Sequence, residues 1–206
     1  MDNIFNRYYI KYDAWYENNK YTYWSELEAI KEVLTNKGKG LEIGVGTGRF
    51  ASPLGIQFGV DPSKNMLKIA KQRGINVRLG FGELLPFRNG FFDYVAIINT
   101  LCFVRNTKKV LEEARRVLKK KGKLIIGIID KNSFLGISYK KKKSIFYKHA
   151  NFLSPQEIRN LLEGLEFHKF SYYQTIFKLP ELINSIEKPL KGFGKGGFVV
   201  ISGEKR

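Results

Sequence analysis

The 206-residue sequence is poor in the residues that build disulfides and metal centres. It has one cysteine and two histidines, so no disulfide can form within the chain. No group of Cys, His, Asp and Glu has the spacing of a metal site. No apolar run is long enough to span a bilayer, and the polar, aromatic N-terminus does not resemble a signal peptide. We therefore expect a cytoplasmic protein without a metal.

Acidic residues are also few, with 19 against 36 lysines and arginines and a formal net charge of +17. Such an excess attracts nucleic acid and anionic surfaces. The run Lys140–Lys143 lies near Tyr139, Phe146 and Tyr147, and this mixture suggests an RNA-binding loop over residues 139–148. We favour a solvated loop, because the positive charge is spread along the whole chain.

Glycine, in contrast, is concentrated behind the first apolar strand. Leu41–Phe50 has the pattern of a short strand, a turn with glycines at 44, 46 and 48, and then the start of a helix. Glycines allow the backbone to turn sharply and approach a ligand closely. The next apolar run ends in Asp61, whose carboxylate can accept both hydroxyls of a ribose. The alternative is that Asp61 caps a helix, since Pro62 suits a first helical position. The pattern predicts a nucleoside-containing ligand on an α/β sheet.

The spacing of the glycines indicates which ligand is bound. Dinucleotide enzymes use G-x-G-x-x-G, whereas this chain has G-x-G-x-G preceded by Glu42. A carboxylate there would repel a pyrophosphate and suits a cationic, amino-acid-bearing ligand. The segments Glu42–Gly48 and Gly59–Ser63 resemble the class I S-adenosylmethionine-dependent methyltransferases of the UbiE-like type (methyltransferase type 11). A dehydrogenase-type or non-catalytic nucleotide-binding domain is the alternative from another class.

The resemblance continues in the family's order over about residues 12–177. It is carried by Leu85–Phe87, Phe91–Val95, Glu113–Lys119 and Phe152–Pro155. It implies one α/β domain, residues 1–206, with a Rossmann-like, doubly wound, mostly parallel sheet of seven strands, an antiparallel edge hairpin and helices on both faces. Residues 1–35 would form a lid, 36–130 the cofactor-binding half and 131–206 the substrate side.

Local patterns add two expectations about helices. Ser25–Glu28 has the form of a capping box and predicts the start of a helix. Leu179–Lys191, between two late strands, is expected to be a helical insertion.

The resemblance implies that S-adenosylmethionine is the cofactor and S-adenosylhomocysteine the product. It implies a cofactor site formed by Glu42, Gly44, Gly46, Gly48, Asp61, Pro62, Phe81, Gly82, Glu83 and Asn99. One position departs from the family, because Phe81 stands where related sequences carry an Asp that pairs with adenine. Its ring would either stack beside the purine or face the core.

The expected reaction is in-line methyl transfer to a small-molecule acceptor, with an RNA acceptor as the alternative. Such a transfer depends on alignment more than on a catalytic base, so the catalytic residues stay open, with Tyr16 and His149 as candidates. The acceptor pocket is expected to be lined by Tyr12, Tyr16, Asn99, Tyr147 and His149, under an aromatic lid.

Overall fold

The computed structural model describes residues 4–34, 37–142 and 144–206, without the side chain of His149. Its centre is one sheet with the strand order β3-β2-β1-β4-β5-β8-β6-β7. The strands are β1 Gly40–Ile43, β2 Phe58–Asp61, β3 Asn76–Leu79, β4 Phe92–Ile98, β5 Leu118–Ile129, β6 Phe167–Thr175, β7 Leu190–Lys191 and β8 Phe198–Lys205. The predicted α/β class and the mostly parallel sheet are confirmed. The described chain has eight strands, so the predicted number of seven is wrong.

Strands β1 to β5 are parallel, and β8 runs antiparallel to both β5 and β6. This antiparallel edge was expected. In β4 the side chains alternate between the two faces of the sheet, as the pleat requires. Ala96 and Ile98 join one buried cluster, and Val95 and Ile97 join the other.

Seven α-helices cover the sheet in the described part of the chain. They are α1 Ile4–Arg7, α2 Tyr9–Asn18, α3 Lys20–Lys31, α4 Lys64–Gln72, α5 Thr107–Val117, α6 Phe134–Lys141 and α7 Pro155–Gly164. The buried side chains of α3 and α4 lie in the first cluster, with Met66 of α4 as an exception, and those of α5 and α7 lie mostly in the second. The helices therefore lie on both faces, as predicted. The helix α7 starts with a capping box of Ser154 and Glu157.

The capping box predicted at Ser25 is wrong. Helix α3 begins at Lys20, so Ser25 lies within it and donates its hydroxyl to the carbonyl oxygen of Tyr21 at 2.7 Å. The pattern of a cap was present, but the aromatic residues before it continue the helix by packing on the core.

The helix predicted directly after the glycines is also wrong. Residues 46–55 form successive turns instead of a regular helix. Pro53 has no N–H to donate and disfavours a helical conformation at Ser52. Gly55 then adopts a positive φ of 68°, which ends the segment before β2.

The predicted helix over Leu179–Lys191 is replaced by a short 3-10 turn, Pro180–Leu182, an extended segment and β7. The main-chain N–H of Glu187 donates to Ser25 Oγ at 2.8 Å, and its carboxylate accepts from Phe177 N at 2.6 Å. Pro189 restricts the preceding residue to extended conformations. These contacts keep the segment extended. Strand β7 then pairs with β6 as the eighth strand of the sheet.

A partly buried ion pair fixes the loop that follows β3. Arg116 on α5 donates to both carboxylate oxygens of Glu113 at 2.7 and 2.8 Å, and also to the carbonyl oxygens of Leu85 and Phe87. Glu113 in turn accepts from Leu85 N at 2.8 Å. The pair therefore fastens residues 85–87 to α5.

Replacing Arg116 with alanine should lower the free energy of unfolding by about 1–3 kcal/mol, since Glu113 and the carbonyl oxygens of Leu85 and Phe87 would lose their donor. Urea denaturation of the variant measures this change. Lys120→Ala, at an exposed position of β5, is the control and should stay within about 0.5 kcal/mol of the parent. An equally small change for Arg116→Ala would contradict the role of the pair.

Candidate functional site

The predicted cofactor residues gather at one edge of the sheet. Strands β1 and β4 are neighbours, and the strand order continues away from them in opposite directions. Ligands of open α/β sheets bind at the carboxyl ends of the strands at such a switch point. Glu42, Asp61 and Asn99 all lie at this edge, at or just after the ends of β1, β2 and β4.

The glycine turn after β1 has the backbone that its sequence predicts. Gly44, Gly46 and Gly48 have φ angles of 73°, 52° and 82°, which side chains other than glycine rarely adopt. A Cβ on Gly44 would collide with Thr100, whereas a Cβ on Gly46 would meet only the sulfur of Met66, at 3.5 Å. Gly46 therefore leaves room beside the backbone where a ligand can approach.

Two buried carboxylates flank this turn. Glu42 is 1% exposed, and its Oε2 has no hydrogen-bond partner in the described structure. Asp61 accepts from Ser63 N at 2.8 Å and from Gly46 N at 3.0 Å. Burial raises the pKa of Glu42 well above its usual range and that of Asp61 to about 6. Both groups are short of the donors that a buried carboxylate requires.

The alternative that Asp61 caps a helix is wrong. Ser63 is the N-cap of α4, where its hydroxyl accepts from Met66 N, and Pro62 precedes the cap. Asp61 is therefore not the cap of α4, and its carboxylate lies at the carboxyl end of β2.

The loop after β3 carries the next three predicted residues. The ring of Phe81 is 60% exposed, so it does not face the core. Gly82 passes close to the core, since an added Cβ would lie 2.9 Å from Ile43 Cγ2. The carboxylate of Glu83 accepts from the main-chain N–H groups of Arg105 and Asn106 at 3.0 and 3.4 Å. Glu83 therefore links the loop after β3 to the segment that precedes α5.

The N-terminal helices lie over this edge, held by Asp13 of α2. Its carboxylate accepts from Arg49 Nε at 2.9 Å, from Arg73 Nη1 at 2.9 Å and from Thr47 Oγ1 at 2.5 Å, with a second bond from each arginine. Burial alone would raise the pKa of Asp13, but these hydrogen bonds outweigh burial and hold it well below its usual range. The lid is therefore tied directly to the glycine turn.

Beneath the lid lies a cavity of about 400 Å³, a size typical of small-molecule sites. Seven of the seventeen residues that line it are aromatic. The aromatic residues are Tyr12, Trp15, Tyr16, Phe103, Tyr139, Phe146 and Tyr147. The other lining residues are Lys11, Asn19, Glu26, Asn99, Ile129, Lys142, Ser144, Ile145, Pro180 and Glu181. Tyr12, Tyr16, Asn99 and Tyr147, expected to line one pocket, do so. The side chain of His149 lies outside the described residues.

Glu26 was missed by the sequence analysis, which placed it in a capping box. It is only 3% exposed, and its one hydrogen bond in the described structure comes from Asn99 Nδ2 at 3.5 Å. Burial raises its pKa to about 8, although the bond from Asn99 opposes this shift. The sequence offered only a weak signal for this burial, because Glu26 shares a helical face with Thr22, Tyr23 and Ile30, which are buried in α3.

The phenols at the cavity are kept neutral. The hydroxyls of Tyr12 and Tyr16 are 3.0 Å apart. Burial, followed by the neighbouring polar groups, raises the pKa of Tyr16 well above its usual value. The geometry therefore disfavours a phenolate at Tyr16, one of the two catalytic candidates.

Comparison with known proteins supports the resemblance seen in the sequence. A family described as "Methyltransferase domain" matches residues 41–126. A crystal structure from Thermotoga maritima, of an S-adenosylmethionine-dependent methyltransferase and possible histamine N-methyltransferase, is 46% identical. It covers 98% of both chains with a TM-score of 0.96. The chain belongs to the S-adenosylmethionine-dependent methyltransferases.

Further relatives align over most of the chain. An uncharacterized protein of Methanocaldococcus jannaschii is 52% identical and covers 98% of this chain and 99% of its own. A demethylmenaquinone methyltransferase of Oceanobacillus iheyensis is 28% identical over 86% of this chain and 79% of its own. No helix in the described ranges is long and apolar enough to cross a membrane.

The buried state of Glu26 predicts how the stability of this methyltransferase depends on pH. Between pH 5 and 8 the folded state holds a proton on Glu26 that the unfolded state has released, so stability falls as pH rises. Glu26→Gln should remove this loss, which amounts to about 4 kcal/mol at most.

Urea denaturation at pH 5 and pH 8 measures the difference. Glu28→Gln, on the exposed side of the same helix, should follow the parent. Parallel pH curves for the parent and Glu26→Gln would contradict a buried, protonated Glu26.

Proposed function

We propose that this methyltransferase transfers the methyl group to a small-molecule acceptor in the cavity beneath the lid. The observation that carries the proposal is the enclosure of that cavity by aromatic side chains next to Asn99, at the end of β4. Methyl transfer requires a closely fitted acceptor in a site from which water is excluded. The aromatic side chains around this cavity favour both conditions.

The same edge of the sheet suits the cofactor. S-adenosylmethionine supplies a methyl group on a sulfonium, and its charged amino group, ribose and adenine must be bound by the protein. We assign the amino group to Glu42, whose Oε2 has no other partner in the described residues. We assign the ribose hydroxyls to Asp61, whose oxygens each keep a lone pair.

The remaining predicted cofactor residues have simpler roles in this proposal. Gly44, Gly46 and Gly48 shape the turn beside the bound methionine part, and Pro62 follows the ribose carboxylate. Gly82 and Asn99 border the adenosyl group with their main chains. The exposed ring of Phe81 stacks on adenine in place of the missing carboxylate.

The aromatic residues of segment 139–148 speak against RNA as the acceptor. Tyr139 is 7% exposed and stacks on Tyr147, with ring centroids 4.7 Å apart, so both rings belong to the cavity wall. Lys140 and Lys141 lie at the end of α6, not in a loop, while Lys143 lies outside the described residues. No ring of this stacked pair is free to bind a base. Histamine, named for the Thermotoga maritima relative, is a small amine and supports a small acceptor.

Asp61→Ala should weaken the binding of S-adenosylhomocysteine by about 1–3 kcal/mol, the usual effect of removing a buried hydrogen-bonding partner. Titration calorimetry measures the affinity. Asp93→Ala removes a carboxylate from the opposite end of β4 and should leave the affinity unchanged. Equal affinities for the parent and Asp61→Ala would show that the ribose binds elsewhere.

Labelled methyl groups distinguish a small acceptor from RNA. The protein is incubated with methyl-labelled S-adenosylmethionine and an extract of the cells that produce it, and the mixture is separated by ultrafiltration at physiological salt. We expect protein-dependent label in the small-molecule fraction and none in RNA.

The contrary result is salt-sensitive labelling of RNA that disappears when Lys140 and Lys141 are changed to alanine, since such binding releases counterions. The same variant should label the small-molecule fraction if our proposal is right.

A further inference from the structure

We propose that the acceptor is an amine whose ammonium nitrogen binds to Glu26, and that Glu26 accepts the proton that this nitrogen must lose before methylation. The inference rests on the proposed function and names the chemical class of its substrate. It also assigns a catalytic base that the sequence analysis did not identify.

The first argument is the lack of a partner for Glu26. A buried carboxylate is normally satisfied by a cation or by several N–H groups. Glu113, equally buried, meets this rule through Arg116 and Leu85 N. Glu26 receives only the 3.5 Å contact from Asn99, and no lysine or arginine of the described residues forms an ion pair with it. A cationic ligand in the cavity would supply the missing partner.

The second argument is the composition of the wall around Glu26. Tyr12, Trp15 and Tyr16 line the same cavity, and aromatic rings attract cations. Burial raises the pKa of Tyr12 and of Tyr147 above the usual value, so their hydroxyls stay neutral. An ammonium group therefore meets favourable rings and a single buried acid.

The charged groups at the mouth of the cavity do not neutralise Glu26. Lys142 lies 3.7 Å from Glu181, and both side chains are at least half exposed. Lys11 is exposed on α2. These charges are screened by solvent, whereas Glu26 lies in the interior.

The third argument concerns the proton. An ammonium nitrogen has no lone pair and cannot accept a methyl group. Burial disfavours both a charged carboxylate and a charged amine. When the ammonium binds, Glu26 releases to solvent the proton that it holds in the empty cavity, so that a carboxylate meets the cation. The N–H bond of the ammonium then breaks and an O–H bond forms on Glu26, which leaves a neutral amine beside a neutral acid. The methylated nitrogen carries a positive charge again, and Glu26 keeps its proton when the product leaves, so that one proton is released for each methyl group transferred.

The test uses the labelled small-molecule product of the ultrafiltration experiment. On a sulfonated cation exchanger at pH 7 the product should be retained as a cation, and tandem mass spectrometry should locate the methyl group on nitrogen. A neutral or anionic product, or a methyl group on oxygen, carbon or sulfur, overturns the inference. It would leave the proposed function standing, because a small molecule would still have been methylated.

The second readout is binding without turnover. Equilibrium dialysis of the purified labelled product, in the absence of cofactor, is compared for the parent, Glu26→Gln and Glu28→Gln. We expect Glu26→Gln to bind the product at least tenfold more weakly and Glu28→Gln to match the parent. Equal binding by the parent and Glu26→Gln overturns the role of Glu26.

Calorimetry with S-adenosylhomocysteine checks that Glu26→Gln is folded, because the cofactor residues are unchanged in it. If that variant does not bind S-adenosylhomocysteine, Glu26→Asp takes its place. It keeps an acid but withdraws it from the cavity by one methylene, and should bind the product at least threefold more weakly. Parent-like binding by a folded Glu26→Asp would then count against the inference.

Labelling of RNA alone would have a different meaning. In that case the proposed function fails, and the amine inference fails with it.

Discussion

The hydrogen bonds that Asp13 accepts from Arg49, Arg73 and Thr47 are the interaction on which the rest of the site depends. Each arginine binds both carboxylate oxygens, an arrangement that combines charge with fixed geometry. The interaction joins three separate parts of the chain: the lid helix α2, the glycine turn and the end of α4. Without these hydrogen bonds, helix α2 would not be tied to the glycine turn.

Several features of the site follow from this clamp. Tyr12 and Tyr16 lie on α2 next to Asp13, so the clamp sets the position of their hydroxyls in the cavity. The α1 segment adds a second attachment, since Asn6 Oδ1 accepts from Ser63 Oγ at 3.1 Å and from Asn65 N at 3.0 Å. The pKa of Tyr12 is raised first by burial and then by the charges of neighbouring groups that include Glu26 and Asp61. Helix α2 thus contacts both the cavity and the glycine turn.

The distribution of charge has a related consequence. The chain carries a formal net charge of +17, yet the carboxylates at the site, Glu26, Glu42 and Asp61, are buried with few partners. Burial raises the pKa of each of these carboxyl groups. Each of them lowers the stability of the fold until a cationic or hydroxyl-bearing ligand binds to it. Incomplete satisfaction of buried polar groups is common where a protein is built to bind a ligand.

The parts of this site that the sequence predicts are those in which neighbouring residues carry the signal. The glycine turn and Asp61 follow from residues that are adjacent to the strands they terminate, and the mostly parallel sheet with its antiparallel edge follows from the family resemblance. Glu26 could not be predicted, because its burial depends on packing against residues about 70 positions away, such as Asn99. The failed capping box at Ser25 and the failed helix over Leu179–Lys191 have one cause. In both segments tertiary contacts outweigh the local sequence pattern, and the hydrogen bond from Glu187 N to Ser25 Oγ links the two segments.

The central claim is that the cavity under the lid is where the methyl group meets its acceptor. A crystal structure of the protein with S-adenosylhomocysteine tests it most directly, since the sulfur marks the side from which the methyl group leaves. The account predicts that the sulfur faces the cavity between Tyr12 and Asn99, with Glu42 and Asp61 bound to the amino group and the ribose. A sulfur that faces the outer surface near Lys140 and Lys141, with the cavity cut off from the ligand, would contradict it.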